Sequence, residues 1–350
     1  MINKHNGNPT VSVVMSVYNG ERYLASSIQS VLDQTFSDFE FIIVNDGSKD
    51  NTLAILNEYA EKDKRIIVYH EEENVKLVRA INKGCQEAKG KYIARMDADD
   101  LCEPQRFARQ VRYLDNHPEV GVLGSWVEDI DADGKKQGIW KVPSEPFLVA
   151  WFLQFDCVVA QPSVMMRRSV LEDLNYYRVD AMQCEDYDLW CRASFITQVA
   201  NQPESLLKRR VWSDSRCFIH SDEVEEYHLK FMREIIERNL STQIDPSVIK
   251  MLRQTSHQQK CSKDRAILQA GIKIIQRLSS IHRLRWDNPD NALVSLRNRD
   301  TGSRIYYLFT CLKKIKAKQP MTSAYISALL HNPKGTINSS IKGIITNFRK

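Results

Sequence analysis

The sequence predicts an α/β fold in which a mainly parallel, mixed sheet is followed by a helical and strongly basic C-terminal region. Over the first hundred residues, short β-rich runs alternate with helical patterns, as in crossover units that place parallel strands side by side under helices. Charge divides the chain as well: residues 1–245 carry 29 Lys+Arg and 40 Asp+Glu, a net −11, whereas residues 246–350 carry 20 and 4, a net +16. We therefore predict two domains, at 1–220 and 221–350.

Each element of the first domain is predicted from its residue pattern. Apolar, β-rich runs predict four strands, at residues 11–17, 39–45, 65–69 and 92–96. Apolar residues at helical spacing predict six helices, at 21–33, 50–59, about 77–88, 104–116, 162–174 and 187–195. A hairpin is predicted from 120–130 and 139–142, and beyond about residue 221 the pattern is mostly helical.

Composition excludes several classes of protein. Hydrophobic residues make up 43% and charged residues 27% of the 350-residue chain, a globular mixture without the bias of a disordered protein. The eight cysteines form no CxxC pair, so reduced thiols are expected rather than a zinc site or a disulfide framework. The first ten residues lack the apolar core of a signal peptide, and no apolar run approaches the roughly 18–20 residues of a membrane-spanning helix. We therefore expect a cytoplasmic protein.

Polar side chains follow three of the four strands at their carboxyl ends, where parallel sheets bind ligands. They are Tyr18, Asn19 and Glu21 after the first strand, Asp46 after the second, and Asp97, Asp99 and Asp100 after the fourth. Alternate residues of extended chain point the same way, so Asp97 and Asp99 are expected to face one ligand together. Carboxylate oxygens suit Mg²⁺ or Mn²⁺, which usually bridge protein carboxylates to substrate phosphates. The alternative is a solvated acidic turn ahead of the helix that begins near Pro104.

A second Asp-x-Asp pattern lies at residues 129–134 and begins like a calcium-binding EF-hand loop. An EF-hand loop needs Glu at its twelfth position, and that position is Trp140 here. Its flanks have the pattern of strands rather than helices, so we predict a hairpin turn. Asp-x-Asp alone therefore does not identify a metal site, and the surrounding sequence decides.

Four sequence blocks together resemble the inverting glycosyltransferase family 2, which has the GT-A fold. The blocks are Val-Val-Met-Ser-Val-Tyr-Asn-Gly at 13–20, Val-Asn-Asp-Gly-Ser at 44–48, Ala-Arg-Met-Asp-Ala-Asp-Asp at 94–100 and Glu-Asp-Tyr-Asp-Leu-Trp at 185–190. They occur in the family's order and spacing over about residues 11–210. The resemblance implies a Rossmann-like sheet domain that binds a nucleotide sugar and transfers its sugar to an acceptor.

The resemblance also implies roles for individual residues. Those expected at the nucleotide sugar are Ser16, Tyr18, Asn19, Glu21, Asp46, Asp97 and Ala98, with Lys76, Arg79 and Arg210 toward the phosphates. Asp46 resembles the carboxylate that accepts a hydrogen bond from the base. Asp99 resembles the ligand of Mn²⁺ or Mg²⁺, a Lewis acid that neutralises the leaving diphosphate. Asp186 resembles the catalytic base, with Glu185 beside it near the acceptor. The other interpretation of the two acids is a helix N-cap with first-turn acids, and the two roles are compatible.

Three segments depart from the family's pattern. Arg209-Arg210-Val211-Trp212 stands where Tyr-Arg-x-His is frequent, so the histidine that can ligate the metal is replaced, and His220 is the candidate substitute. Asn74-Val75-Lys76 stands in place of Asn-x-Gly, so Lys76 and Arg79 are either phosphate contacts or solvated helix residues. Gln161-Pro162-Ser163 stands in place of His-Pro-Ser, which leaves acceptor recognition open.

These residues predict a metal-dependent, inverting glycosyltransferase that uses a UDP-linked donor, by family analogy, and a glycan or lipid-linked acceptor in cell-surface polysaccharide assembly. A single base with in-line attack inverts the anomeric centre. One alternative is a non-catalytic homologue that binds nucleotide or glycan as a scaffold. A nucleotidyltransferase is disfavoured, because the loop at 16–21 has one glycine and no basic residue.

The basic C-terminal region has two interpretations. Aromatic residues and leucines beside lysines at 304–318 suit an amphipathic segment on anionic lipid, which would place the protein at the cytoplasmic face of the inner membrane. The other interpretation is a helical subdomain that packs on the catalytic body and exposes a basic face. The sequence has no base-reading motif, so no nucleic-acid partner is expected.

Overall fold

The structure is a computed structural model. It describes residues 7–181, 183–211, 222–257 and 264–286, together with residues 294, 295, 297, 298, 300, 301 and 304. The chain divides into two units, Met1–Ile235 and Ile236–Lys350. The predicted domain boundary at 220/221, Trp212, His220 and residues 305–318 of the predicted amphipathic segment lie outside the described residues.

The secondary structure alternates strands and helices through the first unit. The strands are β1 (Val11–Val17), β2 (Phe39–Asp46), β3 (Ile66–Glu71), β4 (Tyr92–Asp97), β5 (Leu101–Cys102), β6 (Val120–Ile130), β7 (Lys136–Trp140), β8 (Met165–Arg167) and β9 (Gln198–Arg210). The helices are α1 (Leu24–Leu32), α2 (Thr52–Lys62), α3 (Leu77–Glu87), α4 (Arg106–Asn116), α5 (Pro146–Phe152), α6 (Arg168–Asp173), α7 (Glu185–Ala193), α8 (Asp222–Leu240), α9 (Pro246–His257) and α10 (Arg265–Leu284).

Within the described residues, the strands form one sheet in the order β3-β2-β1-β4-β8-β6-β9-β5, with β7 paired to β6. The four strands β3, β2, β1 and β4 are parallel neighbours, and β6 and β9 also pair in parallel. Strand β8 runs antiparallel to both β4 and β6 and so joins the two parallel parts. The predicted mainly parallel, mixed sheet is confirmed, and the described elements beyond residue 221 are helical as expected.

Both faces of the sheet are covered by helices. On one face, Val13 of β1 lies in an apolar cluster with Ile28 of α1 and Phe107 of α4, all fully buried. On the other face, α3 approaches the sheet closely at Gly84, where a Cβ atom would lie 2.7 Å from Val14 Cγ1. Because both faces are buried there, the central strands β1, β2 and β4 are mainly apolar runs rather than alternating patterns.

The predicted helix at 162–174 is wrong in its first half. Gln161–Ser163 form a single 3₁₀ turn, Met165–Arg167 form β8, and only Arg168–Asp173 are helical. The segment pairs between β4 and β6, and this sheet pairing overrides the helical spacing of its apolar residues. The 13-residue strand β9 has no counterpart among the predictions, because its polar residues and Pro203 interrupt any apolar run.

The predicted hairpin turn at 129–134 is confirmed. Strands β6 and β7 pair antiparallel, and Gly134 in the turn has a φ of 83°. Asp131 Oδ1 accepts the backbone N–H groups of Asp133 at 3.1 Å and Lys135 at 2.9 Å. This Asp-x-Asp pattern therefore serves turn formation, as Asx side chains commonly do.

In the second unit, α9 contacts α10. Each helix buries apolar residues, among them Ile249 and Leu252 of α9 and Leu268 and Ile272 of α10. Asp264 caps α10 by accepting the backbone N–H of Ala266 at 2.7 Å. None of the helices in the described part of the chain has the length and apolarity that a membrane crossing requires.

Candidate active site

The loop after β1 is hydrogen-bonded to the loop after β2. The N–H of Asn19 donates to Ser48 Oγ at 2.9 Å, and Asn19 Oδ1 accepts the N–H of Lys49 at 2.9 Å. Glu21 Oε2 accepts both the backbone N–H and the side-chain amide of Asn51, at 3.0 and 2.8 Å. Asn19 and Glu21, both predicted to lie at the nucleotide, therefore also hold these two loops together.

Ser16 and Tyr18 flank the end of β1. Ser16 lies opposite Asp97 in the parallel register of β1 and β4, and its buried Oγ forms no hydrogen bond with any described residue. A buried hydroxyl without a partner is destabilising, so this group suits a ligand that supplies one. Tyr18 is 50% exposed, which leaves its ring available to a planar base.

Asp46 and Gly47 form the end of β2. Asp46 is buried, and its Oδ1 accepts the backbone N–H of Val75 at 2.6 Å. Burial raises the pKa of the Asp46 carboxyl, and this hydrogen bond opposes the rise. Gly47 has a φ of 70°, and a Cβ atom there would lie 2.5 Å from the carbonyl carbon of Glu73. Only glycine fits here, because the backbone of Glu73 and Asn74 passes directly over it.

Lys76 and Arg79 lie at the start of α3, next to the segment that contacts Asp46. Lys76 precedes the helix with a φ of 78°, and both side chains are exposed to solvent. Their contact with a phosphate remains a prediction. The same exposure is compatible with ordinary solvated helix residues.

Asp97 to Asp100, the acidic loop, follows β4. Asp97 Oδ1 accepts a hydrogen bond from Nη2 of the fully buried Arg95 at 3.1 Å. Its backbone carbonyl accepts the hydroxyl of Ser27 in α1 at 3.0 Å. Arg95 also donates to the carbonyl of Val14 in the middle of β1, so a buried cation links this strand to the first acid of the loop. The methyl group of Ala98, which is partly buried, packs against the apolar core.

The other two acids of the loop differ in exposure. Asp100 is buried, and its Oδ1 accepts the backbone N–H of Arg210 at 2.9 Å. Burial and the negative charges of Asp99 and Asp97 raise the pKa of Asp100 well above its usual range. Asp99 is half-buried, and its backbone carbonyl accepts Nε of Arg210 at 3.0 Å. The guanidinium of Arg210 thus faces the backbone of the loop.

The acidic loop fits a divalent cation. Its carboxylates are hard oxygen donors. Burial, together with the charges of Asp99 and Asp97, raises the pKa of Asp100, and a cation would relieve the repulsion among these charges. Among the residues that the structure describes, no three His, Cys, Asp or Glu side chains are grouped so as to hold a metal ion. A metal at Asp99 would therefore complete its coordination with phosphate oxygens and water, as Mg²⁺ commonly does.

Asp186 is the second residue of α7 and is half-buried. Its Oδ1 accepts the N–H of Tyr187 at 2.7 Å, and its Oδ2 lies 3.8 Å from the Sγ of Cys157. Burial raises the pKa of Asp186 to about 6, and the charge of Asp97 contributes to the rise. The predicted base and the acidic loop are therefore close enough to interact, although they belong to different blocks of the sequence.

The first turn of α7 is held by ion pairs to a buried carboxylate. Glu185 is the first residue of the helix and is buried, as is Asp188. Asp188 accepts hydrogen bonds from Arg178 at 3.1 Å and from Arg192 at 2.9 Å. Acids in the first turn favour the positive end of a helix, so this part of the second interpretation is confirmed without opposing the first. The N-cap itself is Cys184, so neither acid caps the helix.

Sequence reasoning missed three residues that contact the predicted site residues or their helix: Arg95, Cys157 and Asp188. A charged residue within an apolar strand is a signal that singles out Arg95. Asp188 is visible in its sequence block but has no distinguishing spacing. Nothing in the sequence marks Cys157, because its neighbour Asp186 comes from another part of the chain.

Known glycosyltransferases resemble this chain in sequence. A family model described as glycosyl transferase family 2 matches residues 12–174. The putative glycosyltransferase EpsE of Bacillus subtilis is 38% identical over 227 residues, which cover 62% of this chain and 79% of EpsE. The amylovoran biosynthesis glycosyltransferase AmsE of Erwinia amylovora is 32% identical over 207 residues, or 58% of this chain and 77% of AmsE.

Solved structures share the fold. S. aureus TarS 1-349 in complex with UDP-GlcNAc superposes with a TM-score of 0.56 at 18% identity, covering 87% of this chain and 91% of that one. The mannosyltransferase PcManGT of Pyrobaculum calidifontis, in complex with GDP-Man and Mn²⁺, gives 0.51 at 14% identity, covering 89% and 88%. The fold is thus that of the GT-A glycosyltransferases. The chain belongs to glycosyltransferase family 2, and it is a glycosyltransferase.

Proposed function

We propose that this enzyme transfers a sugar from a UDP-linked donor to a hydroxyl of a glycan or lipid-linked acceptor, with inversion, in cell-surface polysaccharide assembly. The observation that carries the proposal is the proximity of Asp186, whose pKa is raised to about 6, to the charge of Asp97 in the acidic loop. Three similar proteins support its details. AmsE is named for amylovoran biosynthesis, TarS has been crystallised with UDP and UDP-GlcNAc, and PcManGT with GDP-Man and Mn²⁺.

In this proposal the nucleotide lies along the ends of β1 and β2. The exposed ring of Tyr18 stacks on the base, and the free Oγ of Ser16 hydrogen-bonds the ligand. Asp46 accepts the N–H of the base with the oxygen that Val75 does not occupy. Asn19 and Glu21 keep the two loops at the spacing that the nucleotide requires.

The diphosphate lies at the acidic loop, with Lys76 and Arg79 toward its phosphates. Asp99 would hold Mn²⁺ or Mg²⁺, and a bound divalent cation supplies charge neutralisation to the departing nucleoside diphosphate. The carboxylate of Asp97, which accepts a hydrogen bond from Arg95, contacts either the ribose of the donor or the protein backbone that follows Asp97. Ala98 packs beneath the loop and keeps its backbone close to the sheet edge.

Asp186 acts as the general base. With a pKa of about 6 it is mostly ionised at pH 7, so it accepts the proton of the acceptor hydroxyl. The hydroxyl oxygen then forms a bond to the anomeric carbon while the bond from that carbon to the diphosphate oxygen breaks. Because attack and departure occur on opposite sides, the product has the inverted configuration. Glu185, at the start of the same helix, lies beside the acceptor.

Location and partners are part of the proposal. The enzyme works in the cytoplasm, where nucleotide sugars are available, and its basic C-terminal region contacts the anionic inner surface of the membrane. A lipid-linked acceptor would be presented at that surface. No nucleic acid takes part.

The test is the release of nucleoside diphosphate from a panel of UDP-, GDP- and dTDP-sugars, with Mn²⁺, Mg²⁺ or chelator. We expect turnover with one UDP-sugar and its loss with chelator. Asp99→Asn is expected to weaken metal affinity by about tenfold or more. Asp133→Asn, in the Asp-x-Asp pattern that forms the hairpin turn, is the matched control and should behave as wild type.

The same assay separates enzyme from scaffold. With an acceptor present, Asp186→Asn should lower the rate by roughly 10²–10⁴-fold, the usual contribution of a positioned base. Binding of UDP and Mn²⁺ by folded protein that turns over no donor, with or without acceptor extracts, would favour the non-catalytic alternative. Turnover that chelator does not affect would contradict the role of Asp99.

A further inference from the structure

Arg210, the last residue of β9, joins three segments of the chain through its side chain. Nε donates to the carbonyl of Asp99 at 3.0 Å, and Nη1 donates to the carbonyls of Asp131 and Ala132, each at 3.0 Å. The guanidinium carbon lies 4.2 Å from the centroid of the Tyr23 ring. The residue is only 7% exposed. One buried cation thus contacts the acidic loop, the β6–β7 turn and the start of α1.

This arrangement does not suit a bidentate phosphate contact. Arginine grips a phosphate with two parallel N–H groups from neighbouring nitrogens. In Arg210 the Nε–H and both N–H groups of Nη1 point to protein carbonyls. Each edge of the guanidinium therefore contains a nitrogen that already donates to a protein carbonyl, and only Nη2 could donate to a phosphate.

The main chain of β9 reinforces the contact with the acidic loop. Leu101 pairs with Lys208 and Cys102 with Leu207 in antiparallel register. Continued by two residues, this register brings Arg210 opposite Asp99, where the side-chain bond is observed. The N–H of Arg210 donates to Asp100 Oδ1 at 2.9 Å, so main chain and side chain hold adjacent residues of the loop.

We propose that Arg210 is a positioning residue for the metal ligand Asp99 and does not contact the donor diphosphate. By fixing the Asp99 carbonyl against the β6–β7 turn and Tyr23, it sets the direction of the Asp99 carboxylate. The inference rests on the proposed metal role of Asp99. It replaces the phosphate contact that the family resemblance implies for Arg210.

The experiment compares metal binding with nucleotide binding in the full chain. Mn²⁺ affinity is measured from the EPR signal of free Mn²⁺, with Mn²⁺ alone and with UDP added, and UDP affinity is measured by calorimetry in EDTA. For Arg210→Met we expect Mn²⁺ affinity to fall by about tenfold or more, as when groups that orient a metal ligand are removed. UDP affinity in EDTA should stay as in wild type. Arg210→Lys should restore little, because one ammonium on a flexible stem cannot reach both sets of carbonyls.

Arg209→Met is the matched control, because Arg209 precedes Arg210 in β9 but pairs with Asp129 and stacks over Trp140. It should bind Mn²⁺ as wild type does. If Arg210→Met does not fold, Arg210→Lys and Tyr23→Leu replace it, and both should weaken Mn²⁺ binding. Circular dichroism and the melting temperature identify folded variants.

Two results would overturn the inference while leaving the metal role of Asp99 in place. One is wild-type Mn²⁺ affinity in folded Arg210→Met. The other is a loss of UDP affinity in EDTA that Arg210→Lys restores, which would reveal a phosphate contact. Wild-type protein that binds no Mn²⁺ in either arm would instead refute the metal role of Asp99, and this inference with it. If UDP does not bind without metal, the Mn²⁺ affinity measured without UDP still tests whether Arg210 positions Asp99.

Discussion

The thiol of Cys157 lies 3.8 Å from Oδ2 of Asp186, the carboxylate oxygen that the N–H of Tyr187 does not contact. Burial raises the pKa of Cys157 well above its usual value, and the charge of Asp186 adds to the rise. The sulfur therefore stays protonated at neutral pH and can donate to the carboxylate. Each carboxylate oxygen of Asp186 thus accepts a hydrogen bond from the protein. These two bonds fix the orientation of the carboxylate and therefore the direction of its remaining lone pairs.

The pKa of Asp186 predicts the acid limb of the pH–rate profile. Burial raises this pKa to about 6, so the base is protonated below that pH. We expect kcat/KM for the acceptor to rise roughly tenfold per pH unit up to about pH 6 and to level off above it. The measurement is a pH profile at saturating donor and metal. A flat profile between pH 5 and 7, with wild type stable throughout, would contradict the role of Asp186.

The same ionisation acts on stability with the opposite sign. The pKa of Asp186 is higher in the folded protein than in the unfolded chain, so folding favours the protonated form. The contribution of protonated Asp186 to the free energy of unfolding is fully present below about pH 4 and is lost as the pH rises to about 6. Relative to wild type, Asp186→Asn should therefore become more stable as the pH rises through this window, as seen in urea denaturation at pH 4 and pH 7.

Removing the thiol should shift the acid limb. The Cys157 hydrogen bond favours the ionised form of Asp186 and lowers its pKa. In Cys157→Ala we expect the limb to move to higher pH, with a lower rate at pH 6 and a similar plateau. Cys157→Ser keeps a donor and should move it less. Cys85→Ala, in a buried cysteine of α3, is the control, and an equal shift in that variant would show a general effect of cavity formation.

Substitutions at two glycines with positive φ distinguish the cost of backbone strain from the cost of close packing. Gly47 and Gly134 have φ values of 70° and 83°, but only at Gly47 would a Cβ atom meet other atoms, 2.5 Å from the backbone of Glu73. Gly134→Ala should cost about 1–2 kcal/mol through the left-handed conformation alone. Gly47→Ala should cost roughly 1–3 kcal/mol more, because the backbone at 73–75 must move.

The functional part of this comparison is nucleotide binding. Moving residues 73–75 displaces the N–H of Val75 from Asp46, so Gly47→Ala should also weaken UDP binding. Gly134→Ala should bind UDP as wild type does. Urea denaturation and calorimetry measure the two effects, and equal losses of stability in both variants would refute the packing argument.

Arg95 is predicted to be among the most sensitive residues outside direct contact with substrate. Its fully buried guanidinium donates to the carbonyl of Val14 and to the carboxylate of Asp97. Arg95→Met leaves these acceptors without their charged donor and should destabilise the fold by about 3 kcal/mol in urea denaturation. Glu172→Gln, which breaks a half-exposed pair with Arg168, should change stability by less than about 1 kcal/mol. Similar small losses in both variants would contradict the prediction.

Local pattern was sufficient for the elements with strong periodicity. Strands β1, β2 and β4 and helix α3 follow their predicted ranges within one or two residues, because continuous apolar runs and helical spacing depend only on neighbouring residues. Pattern failed at β8 and β9. Met165–Arg167 form a strand because they pair with both β4 and β6. The pattern of the segment itself does not reveal this pairing.

The sequence by itself determined the family, the order along the chain of the first four strands and the helices between them, and the edge at which the polar residues gather. These follow from residue types at fixed spacings, and parallel strands bring their carboxyl ends to one edge. Only the tertiary structure decided which side chains meet there. The thiol beside Asp186, the buried Arg95 guanidinium that donates to Val14 and the orientation of Arg210 toward backbone carbonyls each join distant segments. Such contacts depend on packing and hydrogen-bond geometry in three dimensions, which local sequence does not contain.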